Sequence, residues 1–299
     1  MIKLRLLRYL TTHPLNRKTR FRSLYHIARW SLATRLLPGC QIIVPFVNAS
    51  KIAVTPGRWG SEANVLCGLH DFSDMGFLLH FLRPDDLFCD VGANVGEYTV
   101  LASAAIGAHS VAFEPVRSSY IDLRRNIEIN QIAPLVDARC MAVGSAPGQL
   151  TLTGDQDTRN HVLSGPAPVR SGDHVLVETD TLDTLLADQV PQLLKVDVEG
   201  WEHEVFQGAA VLLRNPALVS IIVELNQSGA RYGFSDDAIH QLLLAHGFST
   251  YRYRPFSRKL VSLDKRHNLR GNTLYIRNPD AVNARLLTAP AFTVRDMCI

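Results

Sequence analysis

A chain of 299 residues with 46% hydrophobic and 20% charged side chains is long and apolar enough to bury a full α/β core, which sets aside disordered and fibrous classes. No apolar run reaches the roughly 20 residues of a membrane span, and the five cysteines are scattered with none in C-x-x-C, so the expectation is a cytoplasmic protein with no transmembrane segment, no disulfide framework and no structural zinc. Net charge is only +3, yet residues 1–61 hold eleven Lys or Arg and no Asp or Glu, leaving 20 basic against 28 acidic residues in the rest.

That asymmetry marks residues 1–80 as a basic helical arm with a small β extension, suited to something acidic. Met1 to Arg8 threads Arg and Lys through apolar residues, unlike a signal peptide. Leu4, Leu7 and Leu10, then Phe21, Leu24, Tyr25, Ala28, Leu32 and Leu36, recur at helical steps up to Pro38-Gly39. Two readings stand: an amphipathic cap packed on the main domain, or a peripheral contact with an anionic membrane. Cys40 to Leu69 reads as β structure, with Ile42-Ile43-Val44 and Lys51 to Val54 as short strands. His70, Asp71 and Asp74 precede a helix over Gly76–Leu82 and are read as a solvated loop and helix cap, with covering a bound ligand as the other possibility.

The chain is organised around Leu87 to Gly96. A short apolar run ends in Asp90, small residues follow with Gly92, Asn94 and Gly96, and a helix begins at Glu97. Such a loop lets backbone N–H groups and a helix N-terminus approach a ligand closely. The dinucleotide fingerprint G-x-G-x-x-G and the phosphate loop G-x-x-x-x-G-K-[ST] both fail here. A second acid, Glu114, ends the next apolar run about 20 residues on, where a carboxylate suits a ribose diol. Asp90 suits the ammonium of an amino-acid tail. S-adenosylmethionine has both ends.

Here the chain resembles the FkbM-type S-adenosylmethionine-dependent methyltransferases. The matching residues are Asp90 to Gly96 with Tyr98 and Thr99, then Ala112-Phe113-Glu114-Pro115, Leu123, Asn126-Ile127 and Asn130, Ala142-Val143-Gly144, Leu194 to Gly200 with Glu202, and Ile222-Val223-Glu224. The resemblance implies that Asp90, Gly92, Asn94, Gly96, Tyr98, Thr99, Glu114, Pro115, Ala142 and Asp197 form the cofactor site, with Ala142 next to the adenine. It implies O-methylation of a hydroxyl on a sugar, polysaccharide precursor or natural product.

Beyond the motif, strand and helix alternate. Thr153 to Gly172 is polar and Gly/Pro-rich, a substrate-facing loop with Asn160 and His161. Lys195 interrupts an apolar strand, which is costly unless it is paired. Asp197 and Glu199 follow on the same side by strand alternation, at the sheet edge where α/β ligands bind. Lys195, Asp197, Glu199 and Glu224 are the catalytic candidates. Either a carboxylate is the base with Lys195 tuning it, or Lys195 is the base with its pKa lowered by burial. Magnesium on Asp197 and Glu199 is a variant lacking a third ligand at suggestive spacing, so no metal site is expected.

The expected fold is the class I methyltransferase arrangement, a Rossmann-like α/β sheet of seven mostly parallel strands with helices on both faces, over residues 81–277. It closes in an antiparallel pair, Phe248–Tyr253 with Asn272–Ile276, and residues 278–299 form a weakly patterned tail. The expected partner is a small-molecule or glycan hydroxyl acceptor. Two other classes remain: a non-catalytic nucleoside-binding protein, and an RNA methyltransferase using the basic arm. The two charged blocks argue against the first. The lack of an N-P-P-Y-type motif argues against methylation of base amino groups.

Overall fold

The structure, a computed structural model, describes residues 9–299 except 19, 38, 58, 154–159, 164–173 and 270. The helix expected over Met1 to Arg8 and most of the Thr153–Gly172 loop lie outside the described residues.

Strands β1 (Ile42–Pro45) and β2 (Lys51–Val54) form a hairpin ahead of the main sheet. The next strands are β3 (Leu87–Val91), β4 (His109–Phe113), β5 (Val136–Arg139), β6 (Ala142–Val143), β7 (Gly148–Thr153) and β8 (His174–Asp180). They are followed by β9 (Leu193–Val196), β10 (Ser220–Glu224), β11 (Ser249–Arg254), β12 (Lys259–Ser262) and β13 (Asn272–Ile276). The central sheet runs β12-β11-β13-β10-β9-β3-β4-β5. From β10 to β5 all neighbours are parallel. β13 is antiparallel to both β10 and β11, and β12 is antiparallel to β11.

This is the expected class I architecture with eight strands instead of seven. The added strand, β12, lies in a run crowded with Arg and Lys that reads as loop. An edge strand half open to water needs no apolar run, and β12 buries none of its residues fully. Ala142–Val143 leaves the central sheet and joins a separate three-stranded sheet, β6-β8-β7.

The inner parallel strands β3, β4, β9 and β10 are buried on both faces, as helices on both sides require. Alternation sorts their residues. Cys89, Val91, Leu194, Val196, Ile221 and Val223 pack into one core. Phe88, Leu193 and Ile222 pack into the other. Asp90, Lys195 and Glu224 have the parity of this second set, so they fall on one face of the sheet. Over that face lie α1 (Pro14–Lys18), α2 (Arg20–Leu36), α3 (Trp59–Cys67) and α4 (Phe72–Phe81), whose residues Leu15, Ile27, Trp30, Leu66, Phe77 and Phe81 share a core with Phe88. The helix after the glycine loop is α5 (Glu97–Val100), continued by a π-helical turn over Leu101–Ile106, and α6 (Arg117–Ile129) follows β4.

Residues 278–299 are more ordered than their pattern suggests. After α7 (Leu182–Leu186), α8 (Glu202–Gln207) and α9 (Asp236–Ala245) comes α10 (Pro279–Leu287), capped by the Asn278 side chain accepting from the Ala281 N–H at 3.2 Å. A small hairpin, β14 (Thr293–Val294) with β15 (Met297–Cys298), ends the chain. Val282, Leu286, Phe292, Val294 and Ile299 enter the same core as Leu10 and Leu15. Too few of them are evenly spaced to show as a period. Cys140 is exposed between β5 and β6 and is not in a buried strand. Ser235 precedes α9 without a side-chain capping bond.

Candidate active site

The cleft opens at the C-terminal ends of β3, β4, β9 and β10, and its cofactor half is built around two acids. Glu114 is buried, and each of its carboxylate oxygens accepts one backbone N–H, from Asn94 and from Val116, both at 2.8 Å. Each oxygen keeps a lone pair for a further donor. Burial raises this carboxyl to about 7 against those two N–H bonds. Asp90 is 1% exposed. Its Oδ2 accepts from Thr99 Oγ1 at 2.8 Å, while Oδ1 has no partner among the described residues. Burial raises its pKa, with Lys195 acting in the opposite sense.

The glycine loop is held from both sides. Gly92 has φ +79°, and a Cβ there would lie 1.9 Å from the Asp197 carbonyl oxygen, so the loop touches the end of β9 in a way no side chain permits. Behind the loop, the fully buried Asn126 on α6 donates to the Val95 carbonyl and accepts from the Ala53 N–H on β2, both at 2.8 Å. Asn130 ties the same hairpin through Lys51. Asn126→Ala strands two buried backbone groups and should cost about 2 kcal/mol of stability. It should also weaken cofactor binding several-fold, measured by urea unfolding and calorimetry; unchanged affinity in the destabilised variant would confine Asn126 to the fold.

Asn94, Tyr98, Pro115 and Ala142 line the cleft with Gly92. Gly96 and Thr99 do not. Gly96 makes room for Leu123 on α6, where its Cβ would lie 2.3 Å from Cδ1, and Thr99 stands behind Asp90 as its hydrogen-bond donor. The apolar wall is Met141, Ala142, Val143, Leu152, Val162 and Trp201, drawn largely from the small sheet.

The other half of the cleft is acidic. Lys195 is 4% exposed, with Nζ 3.0 Å from Asp197 Oδ2 and 4.9 Å from the Tyr98 ring centroid. Burial lowers its pKa, but Asp197, Asp90 and Asp71 outweigh burial and the net shift is upward. An upward shift is opposite in direction to the lowered pKa that a lysine base needs. Asp197, Glu199 and Glu224 each bring a carboxylate oxygen within 4.8 Å of the others. Glu224 is a third carboxylate that sequence spacing did not bring to this pair, and the three lie close enough to share a divalent cation or a proton. Burial first, then Asp197 and Glu199, push Glu224 up to about 8. Glu202 shapes this corner: its Oε1 accepts from the Val198 and Gly200 N–H groups at 3.1 Å, folding the turn that presents Asp197 and Glu199.

Two residues read as a solvated loop belong to the site. His70 and Asp71 line the cleft from the α3–α4 connection, with Nε2 3.1 Å from Oδ2. Burial lowers His70, but Asp71 and Glu97 outweigh it and lift it to about 9. Burial raises Asp71, but His70 and Lys195 outweigh that and pull it to about 2. Tyr98 Oη donates to Asp71 at 3.1 Å. Asp74 and His161 do not line the cleft, whereas Asn160 does. His203 lies apart, stacked on Phe234 at 4.3 Å.

With this geometry in view, the family model described as the methyltransferase FkbM domain matches residues 90–250. The chain belongs to the FkbM methyltransferase family. Among curated proteins it is 27% identical over 162 residues to the hexuronic acid methyltransferase AglP of Haloferax volcanii, covering 50% of this chain and 59% of that one. It is 28% identical over 216 residues to the AMB antimetabolite synthetase AmbE of Pseudomonas aeruginosa, covering 56% of this chain and 10% of that one. The chain thus spans less than two thirds of each of these relatives' lengths. Among solved structures, the FkbM methyltransferase of Methylobacillus flagellatus superposes with a TM-score of 0.45 at 16% identity, over 72% of this chain and 52% of that one.

The cofactor of the FkbM family is S-adenosylmethionine, and the residues present fit it. Glu114 has lone pairs left for two ribose hydroxyls, the buried Asp90 Oδ1 lacks a donor that an ammonium supplies, and the Gly92 loop brings backbone to the cleft.

Proposed function

We propose that this chain is an O-methyltransferase acting on a hydroxyl of a neutral sugar or similar polyol. The observation that carries the reading is the trio of carboxylates at the ends of β9 and β10, beside the half of the cleft that fits the cofactor. S-adenosylmethionine, when bound, supplies an electrophilic methyl group. The chain's own task is then to position the acceptor and remove one proton. Glu114 would hold the ribose hydroxyls and Asp90 the amino-acid end. Glu224, with its raised pKa, is suited to take the acceptor's hydroxyl proton. Lys195 anchors Asp197 beside it.

The relative AglP is named for hexuronic acid. In this chain Asp71, Asp197 and Glu199 line the cleft beside Glu224, and the two cations among them, His70 and Lys195, are already paired. Like charges across a contact cost several kcal/mol, so a uronate carboxylate is disfavoured, while neutral hydroxyls find acceptors.

The test has two stages. Calorimetry with S-adenosylmethionine is run on wild type and Glu114→Ala, where the lost charge-assisted hydrogen bonds should weaken binding at least about tenfold. Labelled methyl transfer is then screened over matched hexosides and hexuronides, and the neutral series should lead by about tenfold or more in kcat/KM. Absence of cofactor binding by folded protein would sink the methyltransferase assignment; preference for the uronides would sink the acceptor class alone.

A further inference from the structure

The helix α2 is apolar on two sides. Its inward side, Ile27 and Trp30, is buried, and Trp30 Nε1 donates to Glu62 on α3 at 2.5 Å. Its outward side carries Leu24, Ala28, Leu32 and Leu36 at four-residue steps, with Tyr25 beside Leu24. Leu24 is 49%, Tyr25 63%, Leu32 55% and Leu36 68% exposed. Among the described residues each of these four keeps about half or more of its surface open. A row of leucines in water is an unfavourable way to build a cap, and contiguous exposed apolar surface marks an interaction site.

The charge around this face points to the partner. Residues 1–61 carry eleven basic side chains and no acidic one, and Arg29 and Arg35 lie exposed on α2 itself. A second protein copy bearing the same basic segment would meet like charge. An anionic bilayer offers both hydrocarbon for the leucines and negative charge for the arginines. Beside the helix, Trp30, Ala33 and Leu37 of this segment, Val44 and Phe46 of the hairpin region, and Arg29, Arg295 and Asp296 line a cavity of about 670 Å³.

We propose that the outer face of α2 docks this protein on anionic lipid surfaces. The helix has 17 residues, and no described helix is long and apolar enough to cross a membrane, so it lies in the interface. α3, which holds α2 through Glu62, also lines the cofactor cleft with Ala63, so docking places that cleft one helix away from the lipid-facing surface.

The test is flotation of the full chain with phosphatidylcholine vesicles, with and without phosphatidylglycerol, at low and high salt. Wild type should float with the anionic vesicles and be released by salt. The double variant Leu32→Glu, Leu36→Glu changes only exposed positions and should lower the bound fraction by about tenfold or more, with S-adenosylmethionine affinity and thermal melting unchanged. Arg29→Glu with Arg35→Glu should lose the anionic preference. Equal flotation of wild type and the leucine variant, or none by wild type, overturns the proposal. So does a wild-type dimer that the leucine variant splits without any vesicle binding; the face would then be an interface between copies.

Discussion

Glu224→Gln should slow methyl transfer by about 10²–10⁴-fold, the usual contribution of a positioned base, while cofactor affinity stays within about twofold. Glu224 ends β10 on the sheet face that also holds Asp90 and Lys195. Burial and the neighbouring Asp197 and Glu199 raise its pKa to about 8, with Lys195 pulling the other way. A carboxylate of that basicity takes a hydroxyl proton more readily than an ordinary one. The sign of the pH dependence follows. Below about pH 8 the carboxyl holds its own proton and cannot accept another, so kcat/KM should fall roughly tenfold per unit on the acid side and level off above. Lys195, held above its ordinary value, stays charged throughout and adds no limb of its own. Profiles of wild type and Glu224→Gln check this; a flat wild-type profile, or full activity in the variant, removes Glu224 as the base. The same profile is expected with a chelator present. Activity lost to chelation and restored by magnesium would instead make the carboxylate trio a cation cradle.

Lys195→Met should destabilise the fold by about 3–5 kcal/mol, the usual result of leaving a buried charge without its partner. The uncompensated group is chiefly Asp90, which is 1% exposed, has one oxygen without a donor, and sits in register with Lys195 on the adjacent strand. Asp197, whose side chain is 33% exposed, turns to water and contributes less. Adding Asp90→Asn to Lys195→Met should therefore recover much of the stability but not the activity. Urea unfolding of the three variants measures this. A single variant as stable as wild type would mean that Asp90 is already protonated in the native state.

The parts legible in the sequence were those where chemistry and period coincide. Asp90, Glu114 and Lys195 stand at or near the ends of apolar runs, where a charge has no packing reason to be, and the loop after Asp90 fails the two commoner glycine patterns. Alternation alone placed Lys195 and Asp197 on one side. What it did not show was how neighbouring strands line up. Glu224 joined the acidic trio only through the parallel pairing of β9 with β10. Gly96 and Thr99 share the motif but support the cleft from behind, because a motif records both contact and support. His70 and Asp71 sit in a connection with no period, and only the packing of α3 and α4 over the acid-bearing face brings them in. The double-sided character of α2 hid for a related reason: a helix apolar on two faces looks like a broad core face until one side is found uncovered.

The seat of β13 has a consequence for how this protein is made. It lies between β10 and β11, yet follows both in the chain. Until residue 276 has left the ribosome, β10 keeps an unpaired edge with Ile221, Ile222 and Val223 on it, and such an edge is a template for pairing with another chain. A nascent chain of this protein therefore passes through a stage in which an apolar core strand is open to self-association, and closure waits on a late non-local pairing. Expression yield should depend on chaperone supply and synthesis rate more than the finished molecule's buried core would suggest.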